Sequence, residues 1–299
     1  MYRLNILILF NLFTFLFKVL NIKFFNKNIN INIYIKNYKL SMQLVILAGG
    51  KGSRISEETI YKPKPLIEIG TMPIIWHIMK YYSCFGIKDF VICCGYKGYL
   101  LKEFFANYLL HSSDVVINTS NKEIKVLKKP NENWKIKLID TGENSNTAGR
   151  LLKIKRHVKG DFLLTYGDGL SNVNISKLIS FHKKNKKIAT LTGVQPTGRF
   201  GALKISKNNQ IVESFIEKPE GDGGWINGGF FIFNKKIFKF IKDYNSTLET
   251  DVLPIIAKKN EVNVFKHKKF WYAMDTLRDK NYLLNLWNSK KAPWKIWNN

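Results

Sequence analysis

The stretch Gln43-Leu44-Val45-Ile46-Leu47-Ala48-Gly49-Gly50-Lys51-Gly52-Ser53-Arg54 is an apolar run that turns into glycines and then a cation. A run without polar alternation reads as a strand buried on both faces, as in parallel sheets covered by helices. Glycines after it let the backbone approach a ligand closely and turn N–H groups toward an anion. The loop is not a P-loop, because Gly-Lys-Ser/Thr after four spacer residues is missing. Nor is it the dinucleotide fingerprint, because no third glycine closes Gly50-x-Gly52. Lys62-Pro63-Lys64-Pro65 follows. Arg54 supplies a planar fork for phosphate oxygens and Lys64 a point charge, with prolines fixing the direction in which Lys64 leaves the chain. Two fixed cations beside a glycine loop suit a triphosphate better than a neutral ligand.

Outward from this loop, short apolar runs alternate with helical patterns. Pro73 opens a helix over 74–83, which Gly86 stops. Strands are expected over 89–94, 136–141, 162–166 and 189–194, and helices over 97–110, 147–158 and 175–185. Runs 201–206, 210–217 and 226–233 read as antiparallel strands. Helices near 248–258 and 277–288 close the chain. This order predicts an α/β fold with a mostly parallel sheet. Asp168, between Gly167 and Gly169, ends a strand at the sheet's carboxyl edge, where ligands of such folds sit.

The 299 residues are 45% apolar and 14% aromatic, which excludes an intrinsically disordered chain. Lys and Arg total 48 against 22 acids, a formal charge of +26. That balance ordinarily points to nucleic acid or an anionic membrane. The surplus is nearly all lysine, since the arginines are Arg3, Arg54, Arg150, Arg156, Arg199 and Arg278, and the chain is crowded with Asn, Ile and Phe. The pattern is that of an AT-rich coding bias. Without clustered arginine and interleaved aromatics, no nucleic acid partner is expected. Cys84, Cys93 and Cys94 form no Cys-x-x-Cys pair, so a reducing, cytoplasmic location is expected.

Residues 1–41 lack Asp, Glu, Gly and Pro and carry Arg3, Lys18, Lys23, Lys27, Lys36 and Lys39. Their charge-free run 4–17 falls short of the roughly 20 residues that span a bilayer, and no small-x-small cleavage site follows. The segment reads as an uncleaved anchor, an interfacial amphipathic piece, or an in-frame extension upstream of a start at Met42. The third reading is favoured, because Met42 directly precedes the strand–loop motif. The chain is then an extension, 1–41, disordered or untranslated, and one domain, 42–299. Membrane contact is expected only if the extension is real.

Leu47-Ala48-Gly49-Gly50-x-Gly52-Ser53-Arg54 followed by Lys62-Pro63-Lys64-Pro65-Leu66-Ile67-Glu68 resembles the signature of the sugar-1-phosphate nucleotidylyltransferase family. Further motifs resemble its branch acting on CTP and glucose 1-phosphate: residues 90–99, 140–142 and 165–169, Gly198-Arg199-Phe200-Gly201, Glu217-Lys218-Pro219, Ile226-Asn227-Gly228-Gly229, residues 274–279, and Lys291-Ala292-Pro293-Trp294-Lys295. The resemblance runs from Met42 to about Trp297. It implies a Rossmann-like three-layer fold, with a mixed, mostly parallel central sheet and a small antiparallel sheet on the substrate side. It implies a reaction in which the sugar phosphate attacks the α-phosphorus of CTP and pyrophosphate leaves. Relatives with UTP, dTTP or mannose 1-phosphate specificity are the neighbouring alternative. Such an in-line displacement needs positioning and charge neutralisation rather than a protein nucleophile.

By the same resemblance, Arg54 and Lys64 are catalytic. Leu47, Ala48, Gly49, Gly50, Lys51, Gly52, Ser53, Arg54, Lys64, Ser145, Gly149, Arg150 and Gly167 meet the nucleotide. Glu217, Lys218, Asn227 and Gly228 meet the sugar phosphate. Asp168 and Asp275 hold Mg²⁺, and relatives are homo-oligomers, hexamers in the nearest branch. From residue type alone, a helix N-cap is the lesser reading of Asp275, while Ser145 equally suits a cap before Thr147. Glu217 and Lys218 read as an ordinary strand end before Pro219. Cys93 and Cys94, adjacent on a strand, face opposite sides and read as packing. His77 reads as packed or exposed on its helix, and Trp225 as core or lid.

Overall fold

The apolar run 43–48 forms a strand in which every residue is buried. The structure, a computed structural model, describes residues 42–127, 132–196, 202–205, 212–216 and 224–298. In chain order its main elements are β1 (Gln43–Ala48), α1 (Ile74–Ser83), β2 (Asp89–Cys94), β3 (Lys135–Asp140), α2 (Thr147–Ile154), β4 (Phe162–Tyr166), α3 (Ile175–Asn185), β5 (Ala189–Val194), β6 (Ala202–Ile205), β7 (Val212–Ile216), β8 (Ile226–Phe233), β9 (Val262–His267) and α4 (Leu277–Asn288).

The central sheet has seven strands in the order β9-β5-β8-β4-β1-β2-β3. Val45 of β1 pairs in parallel with Val91 on one side and Leu164 on the other. Only β8 runs against its two neighbours. This is the mixed, mostly parallel sheet expected, and β6 and β7 form the small antiparallel one, Ala202 opposite Ile216. Strand β8, grouped with β6 and β7 in the sequence reading, joins the central sheet instead. Its reversal has a consequence for the site. Phe233 pairs with Phe162 and Phe230 with Thr165, so the start of β8, Ile226–Gly229, lies beyond the carboxyl end of β4.

Both faces of the sheet are covered. Val45, Leu47, Val91, Cys93 and Leu164 pack with Leu151 and Ile154 of α2. On the other face Leu44, Ile46, Phe90, Ile92 and Leu163 are equally excluded from water, as are Ile74, Ile75 and Met79 of α1. Each such side chain contributes roughly 1.5–3 kcal/mol by burial. Cys93 and Cys94 are both buried, and burial pushes the Cys94 thiol up to about 11 and Cys93 higher still. Neither is a nucleophile at neutral pH.

Several boundaries differ from expectation. The helix expected over 97–110 breaks at Asn107 into Gly98–Ala106 and Tyr108–His111. That over 147–158 ends at Ile154 in a tighter turn, Lys155–His157. That over 248–258 begins as a wide turn, Leu248–Val252, before Pro254, which has no N–H to donate. Edge strand β9 and the hairpin Val115–Asn118 with Glu123–Val126 were not read from the sequence. Among the described residues, no helix is long and apolar enough to cross a membrane.

His77 is fully buried under the carboxyl-terminal tryptophans. The Trp294 indole donates to its Nδ1 at 3.4 Å, which leaves Nε2 to donate to the Ile69 carbonyl at 2.8 Å. The ring is therefore neutral, and burial lowers its pKa from 6.5 to about 4. The folded value lies below the unfolded one, so this contribution is intact above about pH 6.5 and is lost as pH falls toward 4. Removing it costs roughly 3 kcal/mol. Circular dichroism melts from pH 7 to pH 4 should show a smaller decline in Tm for His77→Gln than for the unaltered protein.

Candidate active site

The loops leaving the carboxyl ends of β1, β3 and β4 enclose a cleft of about 350 Å³. Its floor is the glycine loop, held from below by Arg150 of α2. The guanidinium is buried and spends its donors on protein acceptors. Nη1 donates to Thr141 Oγ1 at 2.8 Å and to the Gly142 carbonyl at 2.7 Å. Nη2 donates to the carbonyls of Gly49 at 2.8 Å and Glu143 at 3.1 Å. The Gly49 carbonyl also accepts from the Tyr96 N–H at 3.1 Å. With that carbonyl turned into the protein, the planar peptide turns the Gly50 N–H toward the cleft. A Cβ on Gly49 would lie 2.1 Å from Arg150 Nη1, so a side chain there would push the guanidinium off these acceptors.

Lys64 stands beside the loop, in the turn Lys64–Leu66 that Pro63 directs, its stem so close that a Cβ on Gly52 would lie 3.2 Å from Lys64 Cβ. Its buried ammonium donates to Asp168 Oδ2 at 2.6 Å and to Asp275 Oδ1 at 2.8 Å. Arg54 Nη1 donates to Asp275 Oδ2 at 2.8 Å, while most of the Arg54 side chain remains exposed. The two carboxylates, far apart in sequence, meet through a short antiparallel pair. Ala273 lies opposite Gly169, and the Met274 N–H donates to the Asp168 carbonyl at 2.9 Å. Asp275 is not the helix cap. Thr276 caps α4 in a capping box with Asp279. Both carboxylates converge on one cationic point, and their hard oxygen donors fit a divalent ion such as Mg²⁺ completed by phosphate oxygens.

Of the expected nucleotide residues, Leu47, Ala48, Gly49, Gly50, Gly52, Ser53, Arg54, Lys64, Ser145, Arg150 and Gly167 line the cleft. Ser145 is not a cap, because Asn146 holds that position. Lys51 lies outside the lining, its ammonium 3.7 Å from Glu143. Gly149 packs behind the wall, where a Cβ would stand 1.9 Å from the Tyr244 carbonyl oxygen. Asn227 and Gly228 reach the same edge because β8 is reversed, and Trp271 Nε1 donates to the Gly228 carbonyl at 2.6 Å. Glu217 and Lys218 lie outside the described residues. Trp225 is half-buried, with the Lys266 ammonium 5.2 Å above its ring. Pro65, Asn146, Thr147 and Tyr166 also line the cleft and were not singled out from the sequence. For Tyr166 the signal was present, since it stands two residues before Asp168.

An anion-directed loop beside a lysine between paired carboxylates, at the carboxyl edge of a mostly parallel sheet, has the chemistry that suits phosphate esters. The chain belongs to the nucleotidyl transferase family, whose model matches residues 43–280. It is 54% identical over 258 residues to the glucose-1-phosphate cytidylyltransferases of Salmonella typhi and Salmonella typhimurium, covering 86% of this chain and all of each relative. Its fold resembles that of HddC from Yersinia pseudotuberculosis, with a TM-score of 0.60 at 23% identity over 82% of this chain and 99% of that one. It also resembles a UDP-glucose pyrophosphorylase complexed with UDP-glucose, with a TM-score of 0.59 at 16% identity over 84% of this chain and all of that one.

Proposed function

We propose that this chain makes CDP-glucose and pyrophosphate from CTP and α-D-glucose 1-phosphate. The observation that carries the reading is Lys64 held between Asp168 and Asp275 beside the glycine loop in one cleft. The identity to Salmonella enzymes of that name supports the choice of base and sugar. A phosphate oxygen of the sugar attacks the α-phosphorus of CTP in line, and the bond from that phosphorus to the pyrophosphate oxygen breaks.

The chain's part is positioning and charge. The loop Leu47–Arg54 cradles the triphosphate with backbone N–H groups. Lys64 and Arg54 neutralise charge on the phosphoryl oxygens. Ser145 and Gly149 serve the base side, Gly167 the nucleoside, and Glu217, Lys218, Asn227 and Gly228 the sugar phosphate. Asp168 and Asp275 hold Mg²⁺, which when bound spreads the negative charge of the phosphates. Arg150 orients the loop from beneath rather than meeting phosphate. Arg150→Lys keeps the charge but loses the fork. Calorimetric titration with CTP should show affinity reduced about tenfold, as expected for loss of charge-assisted bonds. Unchanged affinity would remove Arg150 from the site.

The same reading takes 42–299 as the catalytic domain and 1–41 as an extension. It makes the enzyme a cytoplasmic homo-oligomer, hexameric in its nearest branch, whose product feeds 3,6-dideoxyhexose synthesis for polysaccharides such as O antigen. Mass spectrometric peptides from residues 5–35 of the native protein would refute an untranslated extension. The test of function is pyrophosphate release from each of CTP, UTP, dTTP and GTP, with glucose 1-phosphate or mannose 1-phosphate, with and without Mg²⁺. Turnover should require CTP, glucose 1-phosphate and Mg²⁺. Turnover with UTP or dTTP and none with CTP overturns the specificity.

A further inference from the structure

The segment Tyr244–Glu249 straps the start of α2. The Asn146 N–H donates to the Tyr244 carbonyl at 3.2 Å, Asn146 Nδ2 to the Asn245 carbonyl at 2.7 Å, and the Gly149 N–H to the Ser246 carbonyl at 3.0 Å. The strap ends in Glu249, a half-buried carboxylate that pairs with no lysine or arginine among the described residues. Both its oxygens are occupied by hydroxyls of cleft-lining residues. Thr147 Oγ1 donates to Oε2 at 2.7 Å, and the Tyr166 phenol donates to Oε1. Thr147 Oγ1 in turn accepts the Leu248 N–H at 2.8 Å, which fixes its hydrogen toward Glu249.

The phenol hydrogen is thus committed, and the phenol oxygen is left to accept. The Tyr166 ring itself lies against the start of β8, where a Cβ on Gly229 would stand 2.5 Å from its Cδ2. Gly229 in turn donates its N–H to Asn227 Oδ1 at 2.9 Å. Tyr166 and Thr147 both donate to Glu249, and the ring that the first bond fixes bears on the Asn227–Gly229 turn. One carboxylate therefore joins the nucleotide wall, residues 145–147, to the first residues of β8. A carboxylate acceptor makes these bonds stronger than neutral ones and fixes the phenol more firmly.

We propose that Glu249 is a positioning residue for the sugar-phosphate half of the cleft, acting through Tyr166 on Asn227 and Gly228. The inference rests on assigning those two residues to the sugar phosphate. Glu249 needs no contact with either substrate, and its effect is on where the β8 amides stand when the sugar phosphate arrives.

The test is steady-state kinetics of the full chain with Tyr166→Phe and Glu249→Gln, each substrate varied against saturating partner. Tyr166→Phe deletes one oxygen and keeps the ring edge-on to Phe231. It should raise KM for glucose 1-phosphate about tenfold or more, the loss expected of a bond to a charged group, and leave KM for CTP within about twofold. Glu249→Gln keeps the size and one acceptor and should move the same constant by a smaller factor. Equal rises in both KM values, or a lowered Tm with neither KM changed, overturns the proposal in favour of a purely structural link. Failure of the unaltered enzyme to turn over any nucleotide with any sugar phosphate strikes the parent assignment and this inference with it.

Discussion

Lys64→Met should lower kcat/KM for CTP by about 10³-fold, the cost typical of removing one preorganised donor from a site where charge develops. Methionine has nearly the length of lysine and suits the buried stem of Lys64, so the loss isolates the ammonium. That ammonium is the shared partner of Asp168 and Asp275. Without it, two partly buried carboxylates face one another with Arg54 as the remaining cation, bound to Asp275 alone. Leaving such a group uncompensated is destabilising, so Tm in metal-free buffer should fall as well. Mg²⁺ should then raise the variant's Tm more than that of the unaltered protein, because a hard dication can take over the vacated charge. A variant with kcat/KM within tenfold of the original, or one whose Tm is indifferent to Mg²⁺, would remove Lys64 from the centre of the site.

The central sheet was legible because β1 and β4 are mostly apolar and end at glycines, β1 at Gly49 and β4 at Gly167. Strand β9 was not, since Val-Asn-Val-Phe-Lys-His alternates with polar residues and pairs only with β5 at the sheet's edge. The antiparallel run of β8 was readable, but its place was not. Nothing in Ile226–Phe233 says which neighbour it meets, yet pairing against β4 is what brings Asn227 to the site's edge of the sheet. The glycine loop, Lys64 and Asp168 could be found as residue types at short spacing. Lys64 meets Asp275 across 211 positions, and Asp168 meets it through a short pairing of Ala273 with Gly169, which has no local pattern. Arg150 was found, but its bonds to the carbonyls of Gly49, Gly142 and Glu143 were not. An arginine bound to backbone carbonyls looks in sequence like one bound to phosphate. Glu249 left no trace at all, because an acidic residue near a helix start is ordinary.

Asp168→Asn and Asp275→Asn separate the proposed metal role of the two carboxylates from their structural one. Each exchange is isosteric, and Lys64 keeps a charged partner in either variant. The fold should therefore hold, with Tm within a few degrees of the original. Activity should not hold, because an amide cannot supply the charge that a dication demands of so small a ligand set. A loss of about 10³-fold in kcat at saturating substrates is expected for each, with a raised Mg²⁺ requirement. The double variant decides whether the two act as one unit. If both grip the same ion, removing the second carboxylate should cost far less than removing the first, as residues of a shared device are strongly non-additive. If each instead orients its own cation, Asp168 for Lys64 and Asp275 for Arg54, the two losses should multiply. Asp275→Asn also weakens the hold on Arg54, whose side chain is mostly exposed, so its KM for CTP should rise while that of Asp168→Asn stays near the original. Full multiplicativity with no change in the Mg²⁺ requirement would assign the carboxylates to orienting the cations and leave the metal to the triphosphate alone.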